Sequence, residues 1–408
     1  MKKSISLSDE NLLSLLSNSS SAGESEPVAH PYFYFANRDG SLRWVYPESL
    51  QSPTFLNFFN QSSLRSKIIK VLISILFYRN LYLGKFAKNT RLVIDVSEDS
   101  ILRDLVNRNP DLNYSIFLGT VGENRKVIIE VNDNISSLSF IKIGVSDASK
   151  FLVENEHKKL ELLGEIETKS FSVPSIIDYR GGILEISNIN TDGAYQSNKF
   201  LPIHFEALKE LYCIGGSNNL YDNLILKCAI QEEIVNLENL CSLGGHNNAI
   251  DLEKLLPKLK GINELLQGNY LFACSMSHGD FTPWNMYVKH DGLGIIDWEL
   301  SGDQVPLFFD VFHFIFQSEV LLNRASYCSV KEEIYATLDC VAAKAMRVSF
   351  NIDINLHFIF YLLFNITRYL SLYAKQTTPH DQIYWMVSVW ENAMDDVVSS
   401  NGKPLKCF

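Results

Sequence analysis

A chain of 408 residues, 46% hydrophobic and 20% charged, is too long for one ordinary core and reads as a soluble, globular protein of two lobes. Its formal net charge of -11 excludes nucleic acid as the main partner, because phosphate binding needs basic stripes; a solvated surface is the plain reading, and a cationic substrate the sharper one. Seven cysteines, odd in number and without a CxxC pair, exclude a zinc site and a disulfide framework and fit reduced thiols in a cytoplasm.

Residues 1–28 are rich in Ser, Asn and Glu, lack the sustained apolar run of a signal peptide, and are predicted to be disordered. Residues 29–111 mix aromatics with helical segments and carry no chemistry motif, so they read as an N-terminal extension. Within it, residues 67–86 are apolar but interrupted by Lys67, Lys70, Arg79 and Lys85, too short an uncharged run to span a bilayer. Two readings remain for this segment: a helix docked on the protein, and a basic amphipathic helix in peripheral contact with the inner membrane surface.

From residue 112 the pattern becomes that of strands. Tyr114–Leu118 and Lys126–Val131 flank the turn Gly119 to Asn124 and predict a hairpin; Ser139–Gly144 predicts a third strand. A helix follows over 148–163, with Leu152, Leu160 and Leu163 on one face, and two short strands over 176–179 and 182–187. Beyond Pro202 the pattern is mostly helical, closing with helices over 309–325, 330–348, 353–375 and 381–398. The third of these reads as a buried core helix. The fold class is therefore α+β, with a small β-rich lobe over 112–190 and a larger, mainly helical lobe over 191–408.

One segment of the second lobe, SHGDFTPWNMYVKHDGLGIIDWEL from Ser277, sets polar residues among apolar runs. Burying Asp280, Asn285 and Asp297 without partners would cost several kcal/mol. Phosphoryl transfer explains the set: a loop Asp faces the acceptor hydroxyl, and an Asn and a second Asp offer the oxygen ligands that magnesium prefers. Lys142 on the third strand supplies a cation for the phosphates, and Glu156 on the next helix, with Glu154 as competitor, is available to hold it. A transition-metal cluster is a poorer explanation, since Asn is a weak ligand for such ions and no second His lies nearby.

These residues resemble a known family. HGDFTPWN and the DWE that follows it resemble the HGDxxxxN…DWE form found in the aminoglycoside phosphotransferase and choline kinase superfamily, of protein-kinase-like fold, over residues 112–400 or so. The resemblance implies Asp280 as catalytic base, His278 as the residue ordering its loop, Asn285 and Asp297 as Mg2+ ligands, and ATP as phosphoryl donor. It carries Lys142 and Glu156 over as the phosphate-binding pair from FIKIG and NEHKKLELL. It places the nucleotide-covering turn at Gly119 and Gly122, without GxGxxG, and the adenine-contacting segment near Ser187 and Asn188.

Asp310, in PLFFDVF, looks like the family's buried carboxylate that receives backbone N–H groups from the catalytic loop. The overall cast is most similar to members found in bacterial surface-polysaccharide settings. Several residues have plainer readings: Glu299 as a capping acid, Trp284 and Trp298 as packing, His313 and His357 as satisfied core residues. The implied activity is a small-molecule kinase phosphorylating a hydroxyl of an aminoglycoside, amino alcohol, sugar or glycan; the alternative is a nucleotide-binding, non-catalytic scaffold in a biosynthetic assembly.

Overall fold

The structure, a computed structural model, describes residues 28–36, 41–58, 64–78, 92–96, 101–119, 124–190, 193–220, 225–242, 250–268, 270–374 and 381–405. The chain divides into two compact units, Met1–Glu167 with Val173–Asn190, and Thr168–Ser172 with Thr191–Phe408.

The first unit is built on eight strands: β1 (Val28–Ala36), β2 (Leu42–Pro47), β3 (Leu92–Val96), β4 (Asn113–Phe117), β5 (Lys126–Asn132), β6 (Ser137–Gly144), β8 (Ile176–Arg180) and β9 (Ile183–Ser187), β7 belonging to the other unit. They form one sheet in the order β3-β1-β2-β4-β5-β6-β9-β8 with every pairing antiparallel. The expected hairpin is β4–β5, in register from Asn113 opposite Asn132 to Phe117 opposite Ile128. The segment read as an extension is not separate from it: β1, β2 and β3 continue the same sheet outward from β4.

Alternation along the strands sends successive side chains to opposite faces and gives the sheet two cores. On one face Tyr32, Tyr34, Val45, Ile116, Val127, Ile129, Val131, Ile141 and Ile143 cluster with Leu102 and Leu105 of the helix Ile101–Arg108. On the other, Trp44 and Tyr46 cluster with Leu50, Phe55 and Leu56, and with Phe117, Ile73 and Phe77 beside them. Ile73 and Phe77 belong to α1 (Leu64–Tyr78), so the segment read from residue 67 docks one face on the protein. Ile68, Val71, Leu72, Ile75 and Tyr78 of the same helix are exposed, and residues 79–86 lie outside the described residues. Among the described residues no helix is long and apolar enough to cross a membrane. With Ile101–Arg108 as α2, the next helix is α3 (Asp147–Gly164), which opens on a reciprocal cap: Ser146 Oγ accepts from the Ser149 N–H, and Ser149 Oγ from the Ser146 N–H.

In the second unit, β10 (Ser217–Leu220), β11 (Leu271–Ser277) and β14 (Gly302–Pro306) make one small sheet, and β12 (Met286–Val288), β13 (Leu293–Ile295) and β7 (Phe171–Ser172) another. The rest is helical: α4 (Pro202–Gly215), α5 (Ile225–Ser242), α6 (Leu252–Leu265), α7 (Phe309–Phe316), α8 (Tyr327–Leu338), α9 (Val341–Ser349), α10 (Ile354–Ala374) and α11 (Asp381–Ser399). The helix expected over 330–348 is two helices, because the Cys340 sulfur accepts from the Ala343 N–H and starts α9 anew after α8 ends at Leu338. The helix expected over 309–325 is α7 followed by a π-helical turn, Gln317–Leu322. Residues Phe358, Tyr361, Leu362 and Leu363 make α10 the buried core helix that its sequence predicted.

Candidate active site

The loop between β11 and β12 is fixed by its backbone first. Asp310, in the first turn of α7 and 3% exposed, accepts from the His278 N–H at 2.9 Å, the Gly279 N–H at 3.1 Å and Ser277 Oγ at 2.9 Å. The buried carboxylate therefore receives the loop's amides, as expected of it. Gly279 sits at φ +80, and a Cβ there would lie 2.1 Å from the Leu300 carbonyl oxygen, so no other residue fits without moving the chain.

His278 is a strut inside the loop. It is fully buried, its Nε2 donates to the Ile296 carbonyl at 2.9 Å, and its Nδ1 accepts from the Asp280 N–H at 3.3 Å. The Nε2 bond ties the residue two before Asp280 to the residue just before Asp297. A second tie runs from the Ile296 N–H to the Asn285 carbonyl at 2.9 Å. Asp297 itself takes a left-handed backbone, φ 68, at the start of the turn Trp298–Leu300, an uncommon state for a non-glycine residue. His278, Asp280, Asn285 and Asp297 are thus held in one hydrogen-bonded framework.

The Asp280 carboxylate is oriented from two sides. Asn285 Nδ2 donates to Oδ2 at 2.8 Å and to the Asp280 carbonyl at 3.0 Å; His313 Nε2 donates to Oδ1 at 3.0 Å. His313 is a correction to the sequence reading: it lies in an apolar run and was expected to be a satisfied core residue, yet its ring faces Asp280 and its buried Nδ1 has no partner. His357 is the buried core histidine expected, and its one N–H has a carbonyl acceptor on either side, that of Asp353 at 2.8 Å from Nδ1 and that of Ala273 at 3.3 Å from Nε2. Farther along α10, Tyr369 and Tyr373 also feel Asp280. Burial first, and then the Asp280 charge, raise the Tyr369 hydroxyl well above the usual tyrosine range and push that of Tyr373 up to about 12. Both rings pack with Trp390 of α11, at 6.2 and 6.3 Å between centroids.

In the first unit, Lys142 and Glu156 form a buried pair, Nζ to the two carboxylate oxygens at 2.7 and 2.6 Å. Glu154 instead faces Lys158 on the exposed side of α3, which resolves the choice between the two acids. Ser187 closes β9 against β8: its N–H donates to the Ser175 carbonyl and its Oγ accepts from the Ser175 N–H. The Asn188 N–H donates to the Leu138 carbonyl and its Nδ2 to that of Ser137. Amide donors at both positions are therefore used within the unit. Gly119, two residues past the end of β4, sits at φ +66; Gly122 lies outside the described residues. Trp298 is fully buried, its Nε1 donating to the Ile295 carbonyl, which makes it packing; Trp284 is half-buried.

The donor set suits a hard divalent cation. Since Asn285 directs its Nδ2 protons to Asp280, its Oδ1 is turned away from that bond, and with the Asp297 carboxylate it offers only oxygen, as magnesium requires.

No protein-family model matches the sequence, and no curated protein matches it. Solved structures do. An ethanolamine kinase of Plasmodium vivax superposes with a TM-score of 0.51 at 18% identity, over 75% of this chain and 88% of that one. A choline kinase from Streptococcus pneumoniae gives 0.45 at 14% identity, over 73% and 98%. The aminoglycoside phosphotransferase APH(2'')-Ib in its ADP-bound form gives 0.42 at 13%, over 72% and 97%. The fold is protein-kinase-like and α+β, with an antiparallel β-sheet unit and a helical unit.

Proposed function

We propose that this protein is an ATP- and Mg2+-dependent phosphotransferase that moves the γ-phosphoryl group to a hydroxyl of a small molecule. The observation that carries the reading is the ordering of Asp280. Its carboxylate is side-bonded by Asn285 and His313 while remaining 24% exposed, so it can still accept an O–H from outside. Each carboxylate oxygen has a second lone-pair site, and the partners shown occupy only one on each.

Bound Mg-ATP would supply the phosphoryl group and the charge neutralisation at its oxygens, with Asn285 and Asp297 as the residues to hold the ion. Lys142, kept in place by Glu156, would supply an ammonium for the phosphates. Asp280 would accept the hydrogen bond of the acceptor hydroxyl, turn its oxygen lone pair to the γ-phosphorus, and take the proton as the new oxygen–phosphorus bond forms and the bond to the leaving ADP breaks. For the acceptor, Tyr369 and Tyr373, backed by the buried Trp390, supply aromatic faces near the Asp280 carboxylate, a combination that attracts a cationic nitrogen. An amino alcohol or aminoglycoside fits this chemistry better than a neutral sugar.

The test is Asp280→Asn, which keeps the size and removes the charge. Mg-ATP affinity by calorimetry should hold within a few-fold, while turnover with a panel of amino alcohols, aminoglycosides and sugars should fall by roughly a hundredfold or more. Near wild-type turnover in the variant would refute the mechanism. Nucleotide binding by both proteins, with turnover by neither, would favour a scaffold.

A further inference from the structure

We infer that His313 is a positioning residue for Asp280, setting the carboxylate's rotamer for the acceptor hydroxyl; the inference rests on the kinase reading above. His313 is fully buried on α7, three residues after Asp310, so both project from the same helical face. The two residues divide one task. Asp310 fixes the backbone of His278 and Gly279. His313 reaches one step farther and fixes the side chain of Asp280, at 3.0 Å from Oδ1.

The tautomer follows from the partners. An ionised carboxylate only accepts, so the proton lies on Nε2, and Nδ1 is left with a lone pair that meets no donor. A histidine present as a strut bonds through both nitrogens, as His278 does. A histidine present to hold one carboxylate needs only the first bond. The ring is itself clamped, parallel to Phe309 at 6.2 Å between centroids and edge-on to Tyr361 at 6.3 Å, so its N–H points in one direction. Asn285 holds the other oxygen, Oδ2. Losing His313 therefore leaves the carboxylate held by Asn285 alone and looser about its Cβ–Cγ bond, without removing any group placed on nucleotide or metal.

The experiment compares His313→Leu, His313→Gln and Asp280→Asn in the full chain. The Gln amide can place a donor near the Nε2 position; Leu cannot. Turnover is measured with Mg-ATP and ethanolamine as probe acceptor, and with Mg-ATP and water alone. His313→Leu should lower kcat by roughly tenfold to a hundredfold with acceptor KM and Mg-ATP Kd little changed, and His313→Gln should restore most of the loss. In parallel, the nitrogen-15 resonances of the His313 ring should show the Nε2–H tautomer and should shift in Asp280→Asn. If Asp280→Asn loses turnover but His313→Leu does not, or if both His313 variants fall equally, the positioning role is wrong and the kinase reading stands. If Asp280→Asn keeps turnover, the kinase reading fails. If the probes are not turned over at all, an Nδ1–H tautomer or unmoved ring resonances overturns the inference by itself.

Discussion

Asp310 offers the sharpest test of how the loop is built, because the cost of its removal can be worked from its partners. Its carboxylate accepts three bonds, from the His278 N–H, the Gly279 N–H and Ser277 Oγ. These bonds do not all become orphans in Asp310→Ala. The Gly279 N–H keeps a second acceptor, Ser277 Oγ at 3.1 Å, whereas no second acceptor of the His278 N–H is seen. The variant therefore leaves one buried amide unpaired, at about 1–3 kcal/mol, and loses charge-assisted bonds of similar size, for a total of about 3–5 kcal/mol. Asp280→Ala strips a carboxylate that is 24% exposed and whose main orphan is the His313 N–H, a cost of about 1–3 kcal/mol. At roughly 2–4 °C per kcal/mol, the two variants should differ in Tm by several degrees, Asp310→Ala melting lower. Thermal unfolding and urea midpoints of the two proteins under one buffer measure this. Equal Tm values, or a lower one for Asp280→Ala, would refute the assignment of Asp310 as the loop's anchor.

Gly279→Ala should be both unstable and inactive: a Cβ 2.1 Å from the Leu300 carbonyl at φ +80 forces the loop apart, and we expect a loss of more than about 2 kcal/mol in urea titration, with turnover lost to a comparable degree as Asp280 is displaced. Glu130, fully buried on β5 beneath Thr54 and Ser137, has its carboxyl pushed up to about 7, chiefly by burial, so the folded state holds a proton that the unfolded state releases above its ordinary value of 4.5. Its contribution is present in full below that unfolded value and is lost as pH rises through 7, so the stability difference between Glu130→Gln and wild type should shift in favour of the variant by up to about 3 kcal/mol from pH 4.5 to 8; a pH-independent difference in urea midpoints would contradict it.

Much of the loop was legible in the sequence because its constraints are local. His-Gly-Asp, then Asn five residues on and Asp twelve beyond that, can be satisfied by one loop and the next strand pair, and the structure closes them with bonds spanning five to eighteen residues. Lys142 and Glu156 were legible for the same reason, as one strand followed by one helix. His313 was not. Its only signal was its distance of three residues from Asp310, and in FFDVFHF the surrounding aromatics make burial look sufficient. The outer strands were hidden differently. Phe33, Phe35, Trp44 and Tyr46 alternate with residues that also face a core, so β1 and β2 show no polar face from which to read a period of two. Break points such as Cys340 escaped because a thiol is a rare helix cap.

The division of labour in the loop has a physical logic of its own. The groups that hold it are the amides of His278 and Gly279, the His278 ring, the Ser277 hydroxyl and the Asp310 carboxylate, all buried. None of these is required by phosphoryl transfer. The side chains that the proposed transfer would use, on Asp280, Asn285 and Asp297, are joined to that scaffold at their backbones: Asp280 through its N–H to His278, Asn285 through its carbonyl to the Ile296 N–H, and Asp297 through its neighbour Ile296. A catalytic carboxylate fixed only by its own backbone could still rotate, and a proton acceptor that rotates gives up much of the advantage of intramolecular placement. The remaining freedom is the carboxylate torsion of Asp280, and it is this torsion that Asn285 and His313 take away, one oxygen each.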